Sequence, residues 1–202
     1  MTSGKGIQVI FDRLYRWAME AGTGPKAYWA VGGVSFAESA LLPLPVDAIL
    51  VPVMLADRRQ VWRAAMVATL ASVAGGCAGY LIGYLLYETL VTWLIHLYSW
   101  EEAFQRIQDR FHEEGVWIVL IGAITPLPFK LIAIASGVQS LPFVEFLLAA
   151  LAGRGVRFGA VAVALYYFGP QIRRLLDRHV KIIGWIVVIV LILGFVAVEW
   201  VF

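Results

Sequence analysis

Five charged side chains stand in otherwise apolar stretches of this sequence: Glu38, Asp47, Lys130, Arg154 and Arg157. In hydrocarbon an unpaired charge costs at least ~2.5 kcal/mol, so such residues are retained only with partners. Two acids against three bases predict a paired cluster with one positive charge over. Glu38 or Asp47 could exchange a proton, because burial disfavours the charged form of a carboxylate. Lys130, Arg154 and Arg157 could attract an anionic phosphate head group, which a guanidinium fork holds through two parallel hydrogen bonds. The same five residues could instead form a purely structural network between two elements.

Two matching strings carry part of this set. Asp47 ends Pro43-Leu44-Pro45-Val46-Asp47, and Lys130 ends Pro126-Leu127-Pro128-Phe129-Lys130. Each proline lacks a backbone donor and disfavours helix in the residue before it, so Pro-x-Pro leaves peptide groups without intrahelical partners. At membrane depth such backbone survives only where protein or a water-filled cavity covers it. About ten apolar residues precede the second string and roughly eight follow, so each arm reaches only about half of a ~30 Å hydrocarbon core. That length suits a re-entrant hairpin with Pro43, Pro45, Pro126 and Pro128 at the two tips, the alternative being one kinked span. If the tips meet, Asp47 and Lys130 face each other near the midplane.

The elements that must position these residues follow from composition. With 202 residues, 61% hydrophobic and 15% charged, and a mean hydropathy of +0.80, the chain reads as an all-α integral membrane protein. Residues 1–26 form an amphipathic surface segment, with Phe11, Leu14, Tyr15 and Ala18 at helical spacing. A first apolar segment, 27–56, is broken at the prolines; a full span follows over 61–87, with Gly75, Gly76, Gly79 and Gly83 available for close helix approach. Residues 88–115 mix aromatic and charged positions and suit an interfacial helical hairpin. The second broken segment covers 116–138 and a second span 143–168. A basic linker over 170–181 then leads into a last apolar helix over 182–202.

Other chemistries find little support. Cys77 is the only cysteine, which excludes an internal disulfide and suits packing beside glycines. His96, His112 and His179 lack metal-ligand spacing, and no Gly-x-Ser-x-Gly, His-Glu-x-x-His or Walker loop is present. We expect no enzyme activity, no metal, no cofactor and no nucleic-acid partner. The N-terminus shows no signal-peptide pattern.

Three blocks recur in order, which marks two homologous halves. Phe11-Asp12-Arg13 with Glu20-Ala21-Gly22 returns as Phe104-Gln105-Arg106 with Glu113-Glu114-Gly115; the Pro-x-Pro strings follow; then Ala74-Gly75-Gly76 matches Ala152-Gly153-Arg154. Most of the 16 Lys and Arg fall in segments 1–26, 57–63 and 170–181, whereas 88–115 has Arg106 and Arg110 against six acids. By the positive-inside rule the first three segments are cytoplasmic and the fourth lies outside. Each half is then a surface helix, a re-entrant hairpin and a span, and the second half is inverted relative to the first.

At these residues the sequence resembles the DedA superfamily, membrane proteins with the VTT or SNARE-associated Golgi protein domain. The matching pieces are Glu38 with Pro43-Leu44-Pro45-Val46-Asp47, Thr125-Pro126-Leu127-Pro128-Phe129-Lys130, Gly137, and Gly153-Arg154-Gly155-Val156-Arg157-Phe158, the last two of these strings most like the shorter YqaA-type branch. The resemblance covers about 27–170, with 1–26 and 171–202 outside it. It implies two opposed re-entrant hairpins and movement of lipid between leaflets, phospholipid or undecaprenyl phosphate, linked to protons, in a bacterial inner membrane with the N-terminus cytoplasmic. The family's two essential acids map onto Glu38 and Asp47. Its arginine pattern, Arg-Phe-x-Pro-x-x-Arg, is not kept: the first position is apolar here and the nearest base is Lys130, so Arg154 and Arg157 would carry that charge. Membrane lipids are the expected partners and a second copy of the chain is left open. A small-ion or solute/proton antiporter and a non-transporting scaffold are the alternatives.

Overall fold

A computed structural model describes residues 25–40, 46–87, 101–125 and 128–201. All regular elements among them are helical: α1 (Pro25–Ala40), α2 (Asp47–Ala56), a 3-10 turn (Arg58–Gln60), α3 (Val61–Leu86), α4 (Glu101–Ile124), α5 (Phe129–Val138) and α6 (Phe143–Val201). The amphipathic segment 1–24, the tips at Pro43, Pro45 and Pro126, and residues 88–100 lie outside the described residues.

Helix α3 is the axis of the first half. Its 26 residues reach about 39 Å, enough for a ~30 Å hydrocarbon core. Small residues let other helices lie on it. Ala27, Val31, Ser35 and Ser39 form a buried stripe along α1, one residue per turn on a single helix face. The Ser35 hydroxyl donates to the Ala68 carbonyl at 2.7 Å, Ser39 and Ser72 share a hydrogen bond of 2.7 Å, and the Phe36 carbonyl sits where a Gly75 side chain would be. Contacts advance together along both chains, so α1 and α3 are parallel. The second-half helix α5 lies on the same axis, also in parallel, with Phe129 against Gly76, Ala133 against Gly79 and Ile134 against Gly83.

Helix α6 plays the same part for the second half. Leu120 and Ala123 of α4 rest on Gly153, and the first-half helix α2 runs along α6 from Asp47 at Arg157 to Leu55 at Gly169. The second arms are thus exchanged: each lies on the span of the other half. The two axes are antiparallel, since Arg58 and Trp62 meet Tyr166 at one end while Tyr80 meets Phe143 and Phe146 at the other. The halves therefore run in opposite senses, as the ordered repeat and the charge pattern require.

Two apolar cores result. One gathers Val31, Leu50, Val53, Val61, Ala64, Phe158 and Leu165; the other gathers Val73, Tyr80, Val119, Phe129, Ala133 and Phe146. Outward faces are apolar as well, with Trp62, Met66, Leu70 and Leu81 on α3 and Val144, Leu148, Val156 and Val163 on α6 exposed. Exposed apolar faces along Arg58–Leu86 and Phe143–Ile172, two segments among the described residues long enough and apolar enough to cross a bilayer, are lipid-facing surface, and the protein is an all-α integral membrane protein.

Two boundaries differ from the sequence reading. In the charged stretch 88–115, the described residues 101–115 are helical and run without a break into the second broken segment as α4, Glu101–Ile124, while 88–100, the other arm of the expected hairpin, lies outside the described residues. Nothing between Glu101 and Glu114 interrupts helix, and Gly115 stays in it because its missing side chain admits Leu141. The basic stretch after the second span is likewise no separate linker. Helix α6 continues through Pro170 to Val201; the proline removes one hydrogen bond, and the Leu- and Arg-rich residues beyond it favour helix.

Candidate functional site

The five charged residues are brought to one layer between the two apolar cores. Arg157 lies near the middle of the span Phe143–Ile172, and Gly76, which Phe129 covers, lies within the middle third of Arg58–Leu86. Helices α2 and α5 therefore both begin at mid-height of the bundle. Each start is prepared locally. Asp47 occupies the first turn of α2, where a negative charge complements the exposed N–H groups. Pro128 is extended (φ −64°, ψ 98°), and its carbonyl accepts the Leu131 N–H at 3.0 Å.

Asp47 is engaged by Arg157: Nη2 donates to Oδ2 at 2.9 Å. The ion pair that Asp47 makes is with Arg157 of α6, which α2 reaches by lying along it, and both Asp47 and Lys130 stand close enough to Glu38 to act on it. The Asp47 side chain keeps 46% of its exposure and that of Arg157 keeps 15%, so the pair is wetted on one side and its other oxygen, Oδ1, makes no hydrogen bond. Glu38, at the end of α1, completes the group. Arg154, Arg157, Lys130 and Asp47 all act electrostatically on it, Arg154 most strongly.

Arg154 is the unusual member. It is fully buried, and its Nε, Nη1 and Nη2 have no hydrogen-bond partner among the described residues. What holds it is aromatic: its Cζ lies 4.4 Å from the Phe129 ring centroid and 5.8 Å from that of Phe158. Phe129 is itself fixed between Gly76, whose added Cβ would come within 2.6 Å of the ring, and Phe146, stacked at 6.3 Å. A desolvated cation–π contact returns roughly 2 kcal/mol. Several unmet donors cost about 1–3 kcal/mol each, more when charged. The rings thus orient Arg154 without satisfying it, and the buried Glu38 Oε2, also unpartnered, does not complete the set.

The sequence identified all five charged positions but missed Phe129 and Phe158. Both stood inside the motifs, directly beside Lys130 and Arg157, and an aromatic next to a buried cation was the available signal. It also missed the capped turn at the end of the bundle. There Asp57 accepts the Arg59 N–H at 2.9 Å and the Gln60 side-chain amide at 2.7 Å, which hold its carboxyl below the usual aspartate range; Tyr28 donates to Gln60 at 2.7 Å.

The VTT domain family model matches residues 44–167, a stretch running from the first Pro-x-Pro through α2, α3, α4 and α5 to beyond Arg157. An uncharacterised protein of Haemophilus influenzae is 27% identical over 92% of this chain and 96% of its own length. Its uncharacterised homolog in Histophilus somni is 29% identical over 94% and 99%, and an uncharacterised protein of Methanocaldococcus jannaschii is 26% identical over 66% and 81%. No solved structure matches. With the family model covering more than half of it, this chain belongs to the VTT-domain, or DedA, family of membrane proteins.

Proposed function

We propose that this protein moves an anionic, phosphate-bearing lipid between the two leaflets, in exchange with protons. The observation that carries the reading is Arg154: a fully buried guanidinium at mid-height, oriented by Phe129 and Phe158, with all three nitrogens unpartnered among the described residues. A phosphate is the ligand whose geometry uses such a fork bidentately. Lys130 and Arg157 supply further charge to the same head group. When phosphate draws Arg157 away, Asp47 loses the positive charge that neutralises it, and a proton takes that place. Glu38 takes the same role toward Arg154. In a bilayer the two helix breaks would be re-entrant tips. Arg58, Arg59 and Arg63 at one end of the bundle support a cytoplasmic placement of that end, with the N-terminus, in a bacterial inner membrane.

Liposome flip assays with fluorescent phosphatidylglycerol and with a polyprenyl phosphate test the reading. Wild-type protein is expected to accelerate translocation, and Arg154→Ala or Glu38→Gln to lose about tenfold or more, the scale of one or two charge-assisted hydrogen bonds. Dissipating the pH gradient should slow the wild type. Unchanged rates in both variants would remove these roles, and proton flux coupled to a small solute without lipid movement would point to an antiporter.

A further inference from the structure

We infer that a second anionic-lipid site lies at the end of the bundle where α2 turns into α3, built from Arg58, Arg59, Trp62 and Tyr166. These residues line a groove of about 540 Å³ between the 3-10 turn and α6. The Arg58 guanidinium stacks 4.4 Å from the Tyr166 centroid, and Trp62 closes the wall with its ring centroid 6.4 Å from that of Tyr166. Stacking occupies the face of a guanidinium and leaves its N–H edge for an acceptor. Arg59 is exposed beside it, so two guanidinium groups face the groove where the 3-10 turn runs into α3. The nearest acid does not fill the site: both Asp57 oxygens are taken by the Arg59 N–H and the Gln60 amide, and the Tyr28–Gln60 bond ties the turn to α1. The platform is therefore fixed before any ligand arrives.

The surroundings select a lipid over a free anion. Trp62, Met66 and Leu70 are all exposed and recur every four residues, forming an apolar track about 12 Å long that leads from the groove along α3. Val163 and Tyr167 are exposed on α6 nearby in sequence to Tyr166. A ligand with phosphate at one end and acyl chains at the other would place its head on the two arginines and a chain along the track, with Trp and Tyr at the depth such rings favour. The site shares no residue with the buried cluster and does not require that the lipid it holds be transported.

The test uses the full chain in nanodiscs of phosphatidylcholine with a minority of phosphatidylglycerol, with retained lipids quantified by native mass spectrometry. Wild type is expected to enrich phosphatidylglycerol, and Arg58→Ala combined with Arg59→Ala to reduce that enrichment about fivefold or more, roughly one strong charge-assisted contact. Both side chains are exposed, so the variant is expected to fold as wild type. The same reduction should appear when Arg154→Ala is already present, which separates this site from the transport reading. Three results would overturn the proposal: undiminished enrichment in the double variant; an equal loss in Arg63→Ala, an exposed neighbour outside the groove, which would mean surface charge alone; or displacement of phosphatidylglycerol by millimolar inorganic phosphate, which would mean a site for the free anion.

Discussion

Arg154 is a residue whose removal should stabilise the fold even as it abolishes the transport we propose. Its cation–π contacts return roughly 2 kcal/mol, less than the desolvation of a guanidinium left without hydrogen bonds, and buried ionic groups are often replaced by apolar ones at no loss. Arg154→Met together with Glu38→Gln, which leaves no acid stranded opposite, is expected to hold or raise the melting temperature while lipid translocation falls. A fall of more than about 5 °C, corresponding to roughly 1–2 kcal/mol in a chain of this size, would mark a structural network instead. Asp47→Ala breaks a half-wetted pair, so its cost is discounted to about 1 kcal/mol. Asp57 makes a separate, pH-dependent contribution. Its carboxyl is held low by the Arg59 N–H and Gln60, so the stability it adds is fully present above the ordinary aspartate pKa of ~3.9 and is lost as pH falls through the lower folded value. Asp57→Ala is therefore expected to melt a few degrees below wild type at pH 7, and the two melting curves should converge as pH falls through the lowered folded value.

At the scale of elements, glycine placement ranks the tolerance of helix contacts. A Cβ at Gly83 would strike the Ile134 carbonyl and one at Gly137 the Tyr80 carbonyl; at Gly76 it meets the Phe129 ring, and at Gly155 nothing lies within 4 Å. Backbone cannot yield as a ring can, so Gly83→Ala and Gly137→Ala should each cost about 1–3 kcal/mol and Gly76→Ala less. Gly155→Ala should gain up to ~1 kcal/mol from helix propensity. Denaturant midpoints of the four variants check the order, and equal effects at Gly155 and Gly83 would refute it. The glycine run on α3 was legible because small residues at helical spacing have one main use in a membrane. Which helix would lie on it was not. Every arm is apolar, and nothing local states that α5 leans on α3 or α2 on α6. The matching strings set Asp47 and Lys130 at two meeting tips; that α2 lies along α6, which gives Asp47 its ion pair with Arg157, was not stated by any local signal. Likewise the sequence revealed the break before α5 through its prolines, but a continuous α4 and α6 required knowing that Gly115 and Pro170 sit where packing tolerates them.

For the whole molecule, inversion of the halves is the property on which the rest depends. Composition and ordered repeats already implied it, because a charge-rich outside segment between two basic ones cannot be threaded otherwise. The packing adds a geometric form of the same statement: Trp62 meets Tyr166 while Tyr80 meets Phe143, so Asp57 and Gln171 lie at one end and Ser140 at the other. Ser140 is exposed in a left-handed turn (φ 53°) just before α6, and Gln171 is exposed on α6 one turn past Tyr167. In a background with Cys77→Ala, single cysteines at these three positions should therefore divide two to one when an impermeant maleimide is applied to intact cells and to inverted vesicles. Asp57→Cys and Gln171→Cys should label from the same face, expected to be the cytoplasmic one from Arg58, Arg59 and Arg63. Ser140→Cys should label only from the opposite face. Labelling of all three from one side would mean that α3 and α6 do not cross the bilayer in opposite senses, and the midplane cluster, which needs arms entering from both faces, would have no basis. Agreement in side but with Asp57 facing outward would preserve the fold and reverse the direction of the proton and lipid coupling that we propose.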